Sequence, residues 1–354
     1  MEKIRINHLP GQTWNRLGMN DVEVEKVPFL ESLEGECRIE GEGGNEADGP
    51  IGAGKVSGMD GIGSALGAEF LSLLEQSGQA GSLCFTAPAG KTKTYRAEFG
   101  AKEGARCGYF ELHALPDCEL TVFEYFGGTA KEHSEDRTGI RNMILAERSS
   151  RVKLVQIFLP GQQEEILNDI GAKLEDNAYL EVDQIFLGGK NTVSGTLAEL
   201  QGRKSSFVSN IAYAMAEGEK LDLNVIARHE GKKTEAQIDV KGVLRKGAHK
   251  LLRATVDFLP GCSGSVGKEN EEVLLMDEDI VNQTIPLILC GEEDVEGAHG
   301  ASIGRIDEEH LFYLKSRGIP EEKIYEMLAN ARIEAILSRI GDAEVTERVQ
   351  AALQ

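Results

Sequence analysis

Leu180-Glu-Val-Asp-Gln-Ile-Phe-Leu187, Phe207-Val-Ser-Asn-Ile-Ala-Tyr213 and Ile238-Asp-Val-Lys-Gly-Val-Leu244 decide the fold class of this 354-residue chain. Each is short, rich in β-branched and aromatic residues, and partly alternates apolar with polar positions, which is the signal of a half-buried strand. Working outward, Leu154–Leu159, Leu223–Ala227, Ala254–Leu259, Val273–Met276 and Ile285–Leu289 repeat the pattern, separated by Gly, Asp, Asn and charged residues. Strand starts fall about thirteen to eighteen residues apart, with a first gap nearer twenty-six. No helix-length amphipathic segment separates them, which argues against a βαβ fold. A sandwich would need many Asn-Gly or Asp-Gly hairpin turns, and these are sparse. An antiparallel sandwich and a β-solenoid over residues 81–304, each turn stacked on the last, both remain open on the pattern alone, which favours the solenoid modestly.

The flanks differ. Residues 1–80 form an N-terminal segment around Leu9-Pro10, Trp14 and Leu17, with a Gly-rich acidic stretch at about 35–64 that reads as a loosely packed linker, too poor in large apolar groups to offset its ordering entropy. Phe70-Leu-Ser-Leu-Leu-Glu then begins like a helix. Residues 305–354 read as a helical domain. Asp307 caps a first helix that Gly318 stops, Pro320 starts a second that carries Ile324, Met327, Leu328, Ala331, Ile333 and Leu337 to Gly341, and Asp342 caps a third.

The net charge of −21 argues against a nucleic-acid partner, which would need basic patches. There is no run of eighteen apolar residues and no signal-peptide pattern at the N-terminus, so no membrane span and a cytoplasmic location are expected. Six cysteines are widely spaced with no CxxC pair, which predicts free thiols and no preformed metal site.

Three constellations carry possible chemistry. Gly49-Pro-Ile-Gly-Ala-Gly-Lys55 matches a phosphate-binding loop, but Val56 stands where a magnesium-holding Ser or Thr belongs and no strand precedes it. Chance occurrence in a Gly-rich stretch explains it better. Glu292, Glu293, Asp294 and Glu296 admit a stand-alone β-helix enzyme acting on carbohydrate, which needs two carboxylates at controlled separation. A solvated acidic loop is the plainer reading. Cys290 and His299 are ligand types for iron or zinc. A lone His in a Gly-rich loop is more often a packing residue, so a metal site here would need a second subunit to complete it.

The stretch from Pro286-Leu-Ile-Leu-Cys-Gly-Glu-Glu-Asp-Val-Glu-Gly-Ala-His-Gly-Ala-Ser-Ile-Gly-Arg through Ile319 resembles the C-terminal signature of the SufB/SufD family of iron–sulfur cluster assembly proteins. Arg228-His-Glu-Gly-Lys-Lys-Thr-Glu-Ala-Gln and Lys241-Gly-Val-Leu resemble the family core, and the likeness covers roughly residues 100–340. The resemblance implies a right-handed parallel β-helix and a non-catalytic scaffold. It further implies that the C-terminal helices dock a SufC-like ABC ATPase, here through Leu311, Phe312, Tyr313 and Arg317, so the nucleotide is bound by the partner. A SufB-like subunit would complete a heterodimer, a homodimer being the alternative. His299-Gly300 matches the SufD side of the family, whereas SufB members carry His-Glu, and Ile280-Val-Asn-Gln-Thr-Ile-Pro lacks the cysteine of SufB members. His299 would then face a transient iron–sulfur cluster across the subunit interface, with Cys290 close in sequence, and no cofactor would be bound stably.

Overall fold

The computed structural model describes residues 2–11, 15–40, 51–52, 58–76, 81–100, 104–127 and 136–353. From Gly81 to Gly304 successive strands alternate between two sheets, and each strand pairs in parallel with the next strand of its own sheet. The register runs Arg137↔Glu165↔Asn191↔Lys220↔His249↔Val281 in one sheet and Tyr179↔Ser206↔Glu235↔Val266 in the other. This is a parallel β-solenoid.

The long first gap in the strand reading has a structural cause. Glu165–Leu174 is a strand that fills it, and Asn191–Leu200 likewise fills the next gap, from Leu180 to Phe207. Their centres carry Asn168, Asp169 and Ser194, which are buried, so their polarity hides them from a periodicity test that assumes apolar interiors.

The corners also explain the missing hairpin signals. Asp117, Ser149, Asn177, Lys204, Lys233 and Gly264 all have positive φ and occupy equivalent places in successive turns. The backbone N–H of each bonds to a carbonyl one turn along, from Asp117 N to Arg148 O at 3.1 Å through Gly264 N to Asp294 O at 2.7 Å. Stacking between turns, not a local type I′ geometry, holds these corners, and that tolerates Lys and Ser in the left-handed region.

Inside the solenoid one column runs Phe99↔Phe126↔Phe158↔Phe186↔Tyr213↔Gly242↔Val273. Phe126, Phe158 and Phe186 stack with centroids 5.0 and 4.8 Å apart. The buried Tyr213 ring leans over Gly242, where a Cβ would lie 1.9 Å from Cζ of Tyr213. Gly242→Ala is thus expected to cost about 1–3 kcal/mol through overpacking. Chemical denaturation checks this, and Tyr213→Leu should rescue it.

The N-terminal segment covers the outer face of the first sheet. Phe29, Leu66, Phe70 and Leu73 pack with Leu167 and Val193, while Leu9 and Met19 pack with Leu251 and Ile285. Helix α1 spans Ala68–Glu75, as its apolar spacing suggests. The linker reading of 35–64 needs correction where residues are described. Glu36–Glu40 is a strand antiparallel to Thr94–Glu98, and Met59 and Ile62 are buried. Order there comes from partners across the interface. Arg141 Nη2 donates to the carbonyls of Ile62 and Gly63 at 3.0 and 2.8 Å. The small residues let backbone approach backbone, since a Cβ on Gly171 would lie 2.0 Å from Gly63 O. Trp14 and the phosphate-loop-like motif lie outside the described residues, except Ile51–Gly52, a short strand against Leu83–Cys84.

Three helices follow the solenoid: α2 (Glu308–Ser316), α3 (Glu321–Ile340) and α4 (Ala343–Ala352). Asp307 and Asp342 cap α2 and α4 through their side chains, and Gly341 takes a left-handed φ of 69° at the end of α3. Ile333, Ile336, Leu337, Ile340, Val345 and Val349 seat the second half of α3 and α4 on Phe123, Tyr125, Val155, Ile157 and Ile185 of the second sheet. Arg339 Nη1 bonds Asn210 at 2.6 Å and Asp239 at 2.7 Å, and Arg96 ties Asp342 to Tyr125.

Candidate functional site at the open end of the solenoid

The two ends of the solenoid are finished differently. At the first turn the sheets finish on short antiparallel strands, Glu36–Glu40 and Ile51–Gly52. At the other end, Val281–Cys290 and Val295–Gly304 are the outermost strands, and no described residue pairs with their outer edges. The Gly-rich loop expected around His299 is in fact this last strand, which corrects that expectation. Gly297, Ala298, Gly300, Ala301 and Ser302 give no strand signal because they are small and exposed.

Strand alternation places Asn282, Thr284, Pro286, Ile288 and Cys290 on the inward face of one sheet, continuing the column from Lys250 to Phe258. It places Gly297, His299, Ala301 and Ile303 on the inward face of the other, continuing Gly267, Glu269, Glu271 and Val273. His299 is thus the outer neighbour of Glu269. Cys290 and His299 are both exposed but do not meet. A Cβ on Gly297 would lie 2.9 Å from Ile288 Cγ2, so these two residues face each other. Cys290 lies two residues to one side of that pair and His299 two to the other, an offset of roughly 13 Å along the strands.

Immediately inside the opening is a charged cluster that composition and spacing did not disclose. The Lys250 ammonium is fully buried, pairs with Glu271 and donates to Thr284 Oγ1 at 2.9 Å. Thr284 Oγ1 in turn donates to Glu271 Oε2 at 2.7 Å. Burial lowers the Lys250 pKa, opposed by Glu271. Glu269, 3% exposed, has its carboxyl pushed up to about 8 by desolvation and then by the neighbouring Glu271. Its Oε2 has no hydrogen-bond partner among the described residues. Alternate acids in Glu269-Asn-Glu271-Glu read as a solvated edge; only the paired Lys250 and Thr284 on the facing strands reveal that two of them point inward.

The acidic turn offers no glycosidase pair. Glu292 accepts from the backbone N–H of Gly261 at 3.0 Å, and Asp294 accepts from Ser263 Oγ at 2.6 Å. Glu292 is held below its ordinary range by those backbone N–H groups, the opposite of the protonated acid such chemistry requires. These carboxylates fasten one corner to the next. Cys118 and Cys37 are poor nucleophiles, since burial pushes both thiols up to about 11. Among the described residues no group of three or more His, Cys, Asp or Glu side chains is arranged to hold a metal ion.

The residues expected at an ATPase contact lie together on α2. Phe312 is 75% and Tyr313 54% exposed, Leu311 is half-buried, and Arg317 lies over the Tyr313 ring and donates to its hydroxyl at 3.0 Å. Met327 on the first half of α3 is also exposed. Among the described residues, no helix is long and apolar enough to cross a membrane.

Comparison with known proteins agrees with this geometry. Residues 100–332 match the family model described as SUF system FeS cluster assembly, SufBD core domain. The iron–sulfur cluster assembly protein SufD of Bacillus subtilis is 35% identical over 106 residues, covering 28% of this chain and 24% of SufD. SufB of the same organism is 28% identical over 160 residues, covering 45% of this chain and 34% of SufB. A SufBD family protein of Mycobacterium leprae is 28% identical over 170 residues, covering 48% of this chain and 19% of that protein. The chain therefore spans only about a fifth to a third of the length of these relatives. Since the core-domain model matches more than half of its residues, the chain belongs to the SufB/SufD family of the SUF iron–sulfur cluster assembly system.

Proposed function

We propose that the chain is a SufD-type scaffold subunit rather than an enzyme. In this reading it pairs through its open end with a SufB-like subunit, docks a SufC-like ABC ATPase on α2 and the first half of α3, and presents His299 to a transient cluster at the joint. The observation that carries the reading is the asymmetry of the solenoid ends: one finishes on short antiparallel strands, and the other on two long parallel strands whose outer edges meet no described residue, with His299 on the last rung. Unpaired edges template further strands unless they are blocked. The exposed Phe312 and Tyr313 supply the aromatic anchors that dominate protein interfaces. The seated half of α3 and the half assigned to the ATPase form one helix, so a pull on the docked ATPase would reach the solenoid through Arg339 and Asp239. His299-Gly300 and the cysteine-free Ile280–Pro286 stretch favour the SufD type.

Co-purification with candidate SufB-like and SufC-like subunits tests this. Phe312→Ala combined with Tyr313→Ala is expected to abolish ATPase capture while leaving the SufB-like subunit bound. His299→Ala is expected to retain both partners and impair cluster formation in a reconstituted assembly assay. A wild-type chain that stays alone with both partners present would overturn the proposal.

A further inference from the structure

We propose that Glu269 is a positioning residue for His299, its buried carboxyl accepting a hydrogen bond from one imidazole nitrogen and leaving the other turned outward from the solenoid. The two residues are direct partners in the parallel register of Ser265–Leu275 and Val295–Gly304. Rungs in such a ladder lie about 4.8 Å apart, so same-face side chains on adjacent rungs are in reach of each other. Glu271 is satisfied by Lys250 and Thr284. Glu269 is not: Oε2 lacks a partner although the residue is almost wholly buried. Its inner neighbour, Ile238, is apolar, which leaves His299 as the polar side chain of its column. On its own strand His299 is flanked by Ala298 and Gly300, and its nearest same-face neighbours are Gly297 and Ala301, so nothing beside it competes for the ring. Rotation of the exposed ring toward the interior brings it over the unpaired oxygen.

A carboxylate behind an imidazole fixes the tautomer and orientation of the ring, and so decides which nitrogen is offered to a ligand. The importance of that choice rests on the reading of His299 as the residue at the joint; the contact itself does not. The test uses the full-length chain labelled with 15N-histidine, at about pH 8.5 where a free imidazole is neutral. His299→Ala identifies the His299 signals. The wild type should show one dominant tautomer, shifted about tenfold from the ratio in the urea-unfolded chain, the size expected of one net hydrogen bond. Glu269→Leu should return the ratio to the unfolded value, and Glu269→Gln, whose carbonyl still accepts, should restore the shift. A wild-type ratio equal to that of the unfolded chain overturns the proposal, and this holds even if Glu269→Leu fails to fold. Because no partner is needed, this result and the co-purification result can fail separately.

Discussion

Asp169→Ala is expected to remove about 3–5 kcal/mol of stability, as for other buried ion pairs deprived of one member. Asp169 is fully buried on the outer face of the first sheet. One carboxylate oxygen takes Arg141 Nη1, and the other accepts from the backbone N–H groups of Ala65 at 2.9 Å and Leu66 at 3.0 Å. Arg141 is itself fully buried and donates onward to Ile62 and Gly63. Removing the carboxylate strands a guanidinium in the interior and leaves two N–H groups unpaired, so the loss exceeds that of an exposed ion pair. Two measurements separate this from simple cavity formation. Combining Asp169→Ala with Arg141→Met should recover much of the loss in urea denaturation, because the stranded charge is gone. Limited proteolysis should show residues 58–66 cut faster in Asp169→Ala. A loss below about 1 kcal/mol would place the contact among weak surface pairs.

That clamp also marks how far the sequence could be read. Strands whose interior is apolar, such as Leu180–Leu187 and Phe207–Tyr213, were legible because period-two burial is a property of the residues themselves. The strands that escaped notice, Glu165–Leu174 and Asn191–Leu200, put Asn168 and Ser194 into the core, where only hydrogen bonds to neighbouring strands make them tolerable. Val295–Gly304 escaped for a different reason. No described residue covers it, and without burial its positions carry no apolar mark. The helical caps at Asp307, Gly341 and Asp342 are local chemistry and could be read directly. His299 stood out beside Cys290 as a ligand type, but its place at a subunit joint came only from the family signature. Glu269, Glu271 and Lys250 were out of reach, because their inward aim depends on register between turns, which no single strand encodes.

The buried polar file gives the second large effect. Glu124 is fully buried between Asn142 and Gln156; both donate to its Oε2, at 3.2 and 2.8 Å. The file continues through Asn168 to Ser194 and Gln184. Two acceptors of the file have no partner among the described residues, Glu124 Oε1 and Asn142 Oδ1. A proton on Oε1 turns one of these orphans into a donor for the other, so the neutral acid suits this site and the carboxylate does not. Desolvation accordingly pushes Glu124 up to about 7, against the hydrogen bonds from Gln156 and Asn142. The sign of the pH dependence follows. In the unfolded chain Glu124 ionises near the ordinary glutamate value, while the folded chain holds the proton until about 7. Stability from this residue is complete below about pH 4.5, falls as pH rises to about 7, and is level above it. The fall amounts to roughly 3 kcal/mol, at about 1.4 kcal/mol per pH unit. Glu124→Gln keeps the shape and supplies the donor permanently. It should therefore match the wild type near pH 4.5 and exceed it by roughly 3 kcal/mol at pH 8. Urea midpoints for both proteins across this range measure it directly. Parallel curves would mean that water reaches the carboxylate or that the file rearranges around it, and the buried neutral acid would have to be abandoned.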